Sequence, residues 1–518
     1  SDAEFDPFVK RLALFYLAYV ELLRKEHLLD YGETLVQAVR ILRDSTTEQQ
    51  KWSGRYKWIL CDEYQDTTPA QAGLLSLIGQ HAHLFVVGDS AQSIYSWQGA
   101  DPENLSRFQD DFPGTATFSL SKNYRSFPNL VRVSKHFLQN CGQSHGVNVV
   151  HDALRDGELQ KVYFVDSENE LDEARKVTSV IRVALQTLQC SVGVLARKWS
   201  LLEPVEIELL RQGIAYRYEG DAARGLIAHP QVESVIRRAV QVVEQAKLDR
   251  PQGESSEGKL VSAIKRGAIE STGLLLQRTQ EVMGLSLEPE ALSALRRISS
   301  ELDDKPIEFL SHLLPDQSSS GQDIPRAVLS TVHSQKGEEF DTVLVIGLET
   351  GNMPLVAPIR QQQFVEWRRG VQGLSHTTWR AKRSRRDLDR IYEDEEERIF
   401  YVAMTRARFN LLLFTAAGRE HRSLRKSEFL TKAHVSAGVT VLSNTSEISL
   451  VQPLAYDAET LGADRYRPDG RIYVTNSGAV VRSKSEMLLA NELSRLGMYF
   501  EYEATIAGVS NVLPDFIF

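Results

Sequence analysis

The residues best placed to do chemistry are the acids of Asp62-Glu63-Tyr64-Gln65-Asp66, which follow the apolar run Trp58-Ile59-Leu60-Cys61 without a break. Two adjacent carboxylates at the end of a buried strand can divide labour. One holds a magnesium ion that neutralises phosphate oxygens, and the other accepts a proton from an attacking water. Acids at strand ends are common, so the pair gains meaning from what comes next. A second apolar run, Leu84-Phe85-Val86-Val87, ends in Gly88-Asp89-Ser90-Ala91-Gln92-Ser93-Ile94-Tyr95-Ser96-Trp97-Gln98-Gly99-Ala100-Asp101. Tyr95 and Trp97 lie two apart, so in an extended segment both rings point the same way. Such a pair can slot between unstacked bases at roughly 1–3 kcal/mol each, without reading sequence.

These segments need a scaffold, and the apolar pattern describes one. Val192-Gly193-Val194-Leu195, Val343-Leu344-Val345-Ile346 and Leu411-Leu412-Leu413-Phe414 join the two runs above as short continuous apolar strands followed by helical patterns. That alternation predicts an α/β fold with a parallel sheet covered on both faces, whose ligands sit at the carboxyl ends of the strands. Between about 220 and 325 the pattern turns to helix after helix, with Leu274, Leu275 and Leu276 and then Leu292, Leu295 and Ile298. This reads as an inserted helical subdomain. Near the start, Phe8, Leu12, Phe15, Tyr19 and Leu22 follow helical spacing and predict a packed amphipathic helix.

Composition bounds the class. The 518 residues suit two to four domains, and 42% hydrophobic with 25% charged residues excludes a wholly disordered, collagenous or membrane-embedded chain. The formal net charge of −9 leaves no global basic field, so nucleic-acid contact has to come from a local groove of Lys and Arg. Three widely separated cysteines, Cys61, Cys141 and Cys190, suit a reducing compartment, and the expected location is cytoplasmic. The run Arg380-Ala381-Lys382-Arg383-Ser384-Arg385-Arg386 reads first as a solvated helix face, with a phosphate-contacting patch as the alternative.

Five segments together resemble the UvrD/Rep-type superfamily 1 DNA helicases. Asp62 to Asp66 looks like motif II and Gly88 to Ala100 like motif III. Asn123-Tyr124-Arg125-Ser126 resembles motif IV, and Thr331-Val332-His333-Ser334-Gln335-Lys336-Gly337-Glu338-Glu339-Phe340 resembles motif V. Glu396-Glu397-Arg398 followed by Tyr401-Val402-Ala403-Met404-Thr405-Arg406-Ala407 resembles motif VI. The resemblance implies tandem RecA-like motor domains moving 3′ to 5′ on single-stranded or partially duplex DNA with ATP and Mg2+; no membrane and no particular protein partner is implied. It implies magnesium on Asp62, Glu63 as general base, Gln92 as γ-phosphate sensor, and Arg125 and Arg406 as the arginines that clamp the transferring phosphoryl group. Tyr124 would stack on the adenine, with Gln65, Gly337 and Glu339 on the nucleotide side. Tyr95, Trp97, Thr331, His333 and Lys336 would meet DNA. Arginine suits the clamp because its planar fork matches phosphate oxygens.

The implied layout is the carboxyl part of the first motor domain with a helical remnant over 1–118, and the second motor domain over 119–220 and 325–420. The helical insertion occupies 221–324, followed by a linker over 421–470. The last part, 471–518, resembles the start of a PD-(D/E)xK nuclease, a partial restriction-endonuclease-like α/β domain. There Glu486, in the helical pattern opened by Ser483-Lys484-Ser485, and Asp515 of Pro514-Asp515 would hold magnesium.

Departures from the family pattern are informative. Gln98 stands where the family commonly has Arg, and Glu338 where it has Leu. No Gly-x-x-x-x-Gly-Lys-Ser/Thr phosphate loop occurs; the one Gly-Lys pair, Gly258-Lys259, precedes Leu260 inside the helical region. The chain is therefore expected to be a helicase fragment without its phosphate loop, fused in the parent to a nuclease for DNA repair or defence, and inactive alone as an ATPase. The alternative is a DNA-binding or regulatory relative that never had the loop.

Overall fold

The computed structural model describes residues 7–101, 103–120, 122–123, 125–141, 152–153, 162–188, 190–220, 225–227, 229–248, 255–284, 286–313, 327–355, 385–419, 422–434 and 438–450, with two-residue strands at 473–474, 480–481, 501–502 and 516–517. The chain divides into two compact units, Ser1–Leu314 with Arg326–Val451 and Pro315–Pro325 with Gln452–Phe518. In the second unit the described residues form two antiparallel strand pairs, Tyr473–Val474 with Val480–Val481 and Glu501–Tyr502 with Phe516–Ile517. The nuclease-like expectation, with Glu486 and Asp515, lies outside the described residues, as do Tyr124 and the side chains of the basic run at 380–386.

The first unit opens with helices α1 (Pro7–Lys25), α2 (Tyr31–Asp44) and α3 (Thr46–Ser53), then strand β1 (Trp58–Cys61), α4 (Pro69–Ile78), β2 (His83–Val86) and α5 (Asn104–Asp111). β1 and β2 pair in parallel. One side of this pair packs Ile59, Cys61, Leu84 and Val86 around Tyr64, Leu75 and Phe108. The alternate residues Trp58, Leu60 and Phe85 are each more than half exposed. Helix α1 forms where the spacing places it, but the expected packed stripe is exposed, Phe15 at 72% and Leu22 at 56%. Periodicity specifies a helix and its apolar face, yet burial also requires a neighbour, and no core cluster of the described residues reaches that face.

After β3 (Lys122–Asn123), α6 (Pro128–Asn140) and β4 (Asp152–Ala153), the second part is built on a seven-stranded sheet. Its strands are β5 (Val162–Ser167), β6 (Val192–Ala196), β7 (Tyr216–Tyr218), β8 (Ala327–Thr331), β9 (Phe340–Val345), β10 (Ala407–Ala416) and β13 (Val439–Leu442). They lie in the order β13-β5-β10-β9-β6-β8-β7. Every pairing in it is parallel. The two-residue strands Gly418–Arg419 and Arg422–Ser423 (β11 and β12) form a small hairpin outside it.

The side-chain period of two sorts the strand residues into two cores. Val162, Phe164, Leu195, Val343 and Leu411 pack with α6 and α13 (Arg385–Thr405) on one face. Tyr163, Val165, Val194, Leu344 and Leu412 pack with α7 (Glu170–Arg182) and α8 (Glu203–Arg211) on the other. Both faces are therefore apolar, which is why these strands read as unbroken hydrophobic runs. Gly193 is a packing requirement, since a Cβ there would lie 2.5 Å from the Phe340 ring.

Within the expected linker 421–470, the described residues 422–434 and 438–450 are folded against the sheet. Helix α14 (Glu428–Ala433) buries Phe429 and Leu430 in the first of these cores, and β13 is an edge strand of the sheet paired with β5. The short apolar content of β13, half exposed on an edge, resembles linker composition and hides a strand.

The helical region appears as expected: α9 (Pro230–Lys247), α10 (Ser256–Lys265), α11 (Thr272–Met283) and α12 (Pro289–Glu301) enclose their own core. Helix α8 belongs to both parts. Its Val205 and Leu209 face the sheet, while Ile207 and Leu210 enter the helical core. At this seam Glu206 is 1% exposed and accepts hydrogen bonds from Tyr216 Oη at 2.7 Å, Tyr218 Oη at 2.8 Å and the Leu226 N–H at 2.9 Å.

Burial pushes the Glu206 carboxyl from its ordinary 4.5 up to about 7, against the pull of those donors and with Glu203 adding repulsion. The folded state thus holds this proton more tightly than the unfolded state. The associated stability is present below about pH 4.5 and is lost as pH rises through about 7. Glu206→Gln, which cannot ionise, should leave the urea midpoint nearly unchanged at about pH 4 and raise stability at about pH 8, by at most about 3 kcal/mol. Equal effects at both pH values would show that Glu206 does not titrate in this range.

Candidate active site

β1 delivers the acid run to the end of the first strand pair, and the chain turns at once. Glu63 takes the left-handed conformation, φ 51° and ψ 38°, with its N–H donating to Asp62 Oδ1 at 2.8 Å. A non-glycine residue there costs roughly 1–2 kcal/mol, so the surroundings must enforce it. They do so through Gln65, which is fully buried beneath the acids. Its amide nitrogen donates to the Glu63 carboxylate and, at 3.3 Å, to Asp66, while its oxygen accepts the Asp89 N–H at 2.9 Å. Gly88 leaves room for this amide, because a Cβ would lie 2.5 Å from Gln65 Oε1. Gln65 therefore holds the acids from below.

The loop after β2 carries the connection across the cleft. Asp89 Oδ1 caps the Ser90–Gln92 turn through the Ala91 N–H at 3.0 Å, and Asp89 Oδ2 accepts Gln92 Nε2 at 2.8 Å. The other end of the Gln92 amide accepts Arg406 Nη2 at 3.1 Å. Arg406 is 1% exposed, and donates from Nε to Val402 O and from Nη1 to Glu338 O, both at 3.1 Å. Burial pushes its guanidinium down to about 10, and the charge of nearby Arg125 pushes the same way. Arg125 Nε pairs with Glu339 at 2.7 Å.

Lys336, for which the resemblance implies a DNA contact, is placed against the acid run. Its side chain is 5% exposed. The ammonium donates to the Asp66 carboxylate and to Gln92 O at 2.7 Å, and lies 3.8 Å from Glu63 Oε2. Gly337, at φ 91°, makes the turn that sends Lys336 to the acids while Glu338 O faces Arg406. Burial pushes the Asp66 carboxyl above its ordinary value against the opposing pull of Lys336. Thr331 is likewise buried, sharing a hydrogen bond with Ser334 Oγ at 3.1 Å.

The aromatic pair is real but its geometry differs from the extended segment expected. Ser96–Gln98 is a 3-10 turn, and the Tyr95 and Trp97 rings meet edge-on at 6.4 Å between centroids. Both approach His333, at 6.3 and 6.5 Å. Tyr95 Oη donates to His333 O at 3.0 Å, and Trp97 remains 59% exposed. Burial, with Arg197 next, pushes the His333 imidazole down to about 4, so it is neutral at pH 7.

The acids fit a magnesium ion that keeps water and phosphate ligands, which needs only one or two carboxylates. Asp62 and Glu63 are exposed to the cleft, and Asp66 Oδ1 is buried without a hydrogen-bond partner among the described residues. Among the described residues no cluster of three His, Cys, Asp or Glu side chains forms a closed metal cage. Asp66 and Asp89 take part in this site through Lys336 and Gln92; both stand inside the motif segments, but nothing in the sequence reveals these partners.

A model of the UvrD/REP helicase N-terminal domain matches residues 3–113, and one of the UvrD-like helicase C-terminal domain matches 118–223 and 259–418. The chain belongs to the UvrD/Rep helicase family. It is 28% identical over 482 residues to DNA helicase II of Escherichia coli strain K12, covering 78% of this chain and 62% of that protein. ATP-dependent DNA helicase UvrD2 of Mycobacterium tuberculosis strain H37Rv is 27% identical over 420 residues, 78% of this chain and 54% of the relative. For ATP-dependent DNA helicase PcrA of Bacillus subtilis strain 168 the identity is 24% over 481 residues, with 78% and 61% covered. The chain thus spans somewhat more than half the length of these relatives. None of its described helices is long and apolar enough to cross a membrane.

The cross-cleft ion pair should matter for stability. Removing the ammonium with Lys336→Met leaves Asp66 half-buried and unpaired, and a loss of about 3 kcal/mol in urea unfolding is expected. Stability within 0.5 kcal/mol of the parent, about the scatter of ordinary surface substitutions, would show that the pair contributes little.

Proposed function

We propose that this chain is the cleft-bearing part of an ATP-driven DNA helicase or translocase that moves 3′ to 5′ along single-stranded DNA. The observation that carries the reading is the line Asp89–Gln92–Arg406, which joins the loop after β2, the neighbour of the acid-bearing strand β1, to an arginine at the junction of α13 and β10. In this reading Glu63 takes a proton from an attacking water, and Asp62 would hold Mg2+ directly or through water. ATP supplies the phosphoryl group whose transfer develops charge. Arg406 and Arg125 are set to neutralise that charge, a contribution that reaches roughly 10³–10⁵ in rate for arginines in this role. Both arginines bond protein groups in this state, so closing on phosphate requires them to exchange partners. Hydrolysis then depends on the relative position of two structural parts, which is how a nucleotide cycle becomes movement. On the DNA side, exposed Trp97 offers a face for an unstacked base.

A second reading, a DNA-binding or regulatory relative without ATPase activity, is favoured by one observation: the 518 residues contain no Gly-x-x-x-x-Gly-Lys-Ser/Thr loop. The nuclease-like reading of 471–518 rests on Glu486 and Asp515 in sequence alone. For the 518-residue chain we expect ATP turnover indistinguishable from that of Glu63→Gln, because its sequence holds no Gly-x-x-x-x-Gly-Lys-Ser/Thr loop to cradle the β- and γ-phosphates. Single-stranded DNA binding should survive, weaken with salt, and drop about tenfold in Trp97→Ala. DNA-stimulated turnover abolished by Glu63→Gln would overturn the first expectation. Failure of the parent chain to bind an oligothymidine at low salt would overturn the second.

A further inference from the structure

The aromatic loop is held from the far side by a helix whose middle residues have no role in the chemistry above. On α13, Glu395 accepts the Ser96 N–H at 3.1 Å, and Arg398 Nε donates to Ser93 O. One residue past the helix, Arg406 bonds Gln92. Positions 395, 398, 402 and 406 recur at three- and four-residue spacing, so they form one stripe along about 16 Å of helix. The segment Gln92–Ser96 runs along that stripe in the opposite direction, with its nucleotide-side end at Arg406 and its aromatic end at Glu395. Each of the two grips a backbone group of the loop. They therefore set where the loop lies along the helix while leaving the rings of Tyr95 and Trp97 to other partners. Arg398 is 5% exposed, and the same helix buries Ile399, Phe400 and Val402 in the sheet core, so the rail is rigid.

We propose that Glu395 is a positioning residue that holds Trp97 in its base-stacking orientation by anchoring the Ser96 N–H, with Arg398 fixing the register one turn away. The inference rests on the reading of Tyr95 and Trp97 as a stacking pair.

The test uses the full 518-residue chain labelled with 5-fluorotryptophan, the Trp97 resonance being assigned by its loss in Trp97→Phe. Glu395→Leu keeps volume and removes the acceptor, whereas Glu395→Gln keeps an acceptor oxygen. We expect the Trp97 fluorine resonance to shift or broaden in Glu395→Leu, and affinity for an oligothymidine to fall about tenfold, the loss of one stacked base. Glu395→Gln should restore both, to within about threefold in affinity. A folded Glu395→Leu chain with lowered melting temperature but an unmoved Trp97 resonance would overturn the proposal, as would a Gln variant that behaves like Leu. The parent chain offers a check that needs no variant: amide exchange over residues 93–98 should be slow, and fast exchange there also overturns it. If the resonance responds but the parent chain binds no DNA, the positioning role stands and the stacking assignment falls.

Discussion

Arg406 heads the largest fully buried side chains of the described residues, and a buried guanidinium constrains everything around it. Left unsatisfied, a charge in that position costs several kcal/mol. Its donors end on Val402 O, Glu338 O and Gln92 Oε1. Three segments distant in sequence must therefore meet at one point: the end of α13, the turn before β9 and the loop after β2. The same meeting places Lys336 on Asp66 and Tyr95 on His333. The cleft is thus specified by the satisfaction of one cation as much as by apolar packing.

The sheet makes that meeting possible. Because both faces of β6, β9 and β10 are buried, the strands cannot slip without moving every side chain to the wrong core. The ends of β8, β9 and β10 are consequently rigid supports for Thr331, Glu339 and Arg406. Helix α8 extends the same rigidity into the helical region. Ion pairs at its two ends, Glu203 with Arg297 and Arg211 with Glu301 and Asp304, flank the residues it shares with both cores. These pairs are partly exposed and each contributes about 1 kcal/mol or less, so Ile207 and Leu210 supply most of the adhesion.

The electrostatics of the site are local. A chain with net charge −9 nevertheless concentrates Arg125, Arg406 and Lys336 against Glu63, Asp66 and Glu339. Burial determines which of these groups are perturbed: it depresses Arg406 and raises Asp66, while His333 is pushed to neutrality beside the aromatic pair. A neutral imidazole can pack against the rings at no desolvation cost for a charge.

Much of this was legible in the amino-acid order. Continuous apolar strands, the helical run after 220 and the motif residues are local properties, governed by side-chain period and by residue type, and they determined the α/β fold class and the family. What lay beyond reach were the relations between distant segments. Nothing local to Lys336 says that its ammonium turns inward to Asp66. Nothing in the α1 stripe says whether a neighbour covers it, and the modest apolar content of Val439–Leu442 does not reveal an edge strand. Likewise nothing local to Glu395 or Arg398 says that the loop 92–96 lies along them. A sequence specifies which faces want burial and which groups want partners; which partner each one finds is a long-range choice, made only when the sheet closes and every buried polar group must be satisfied at once.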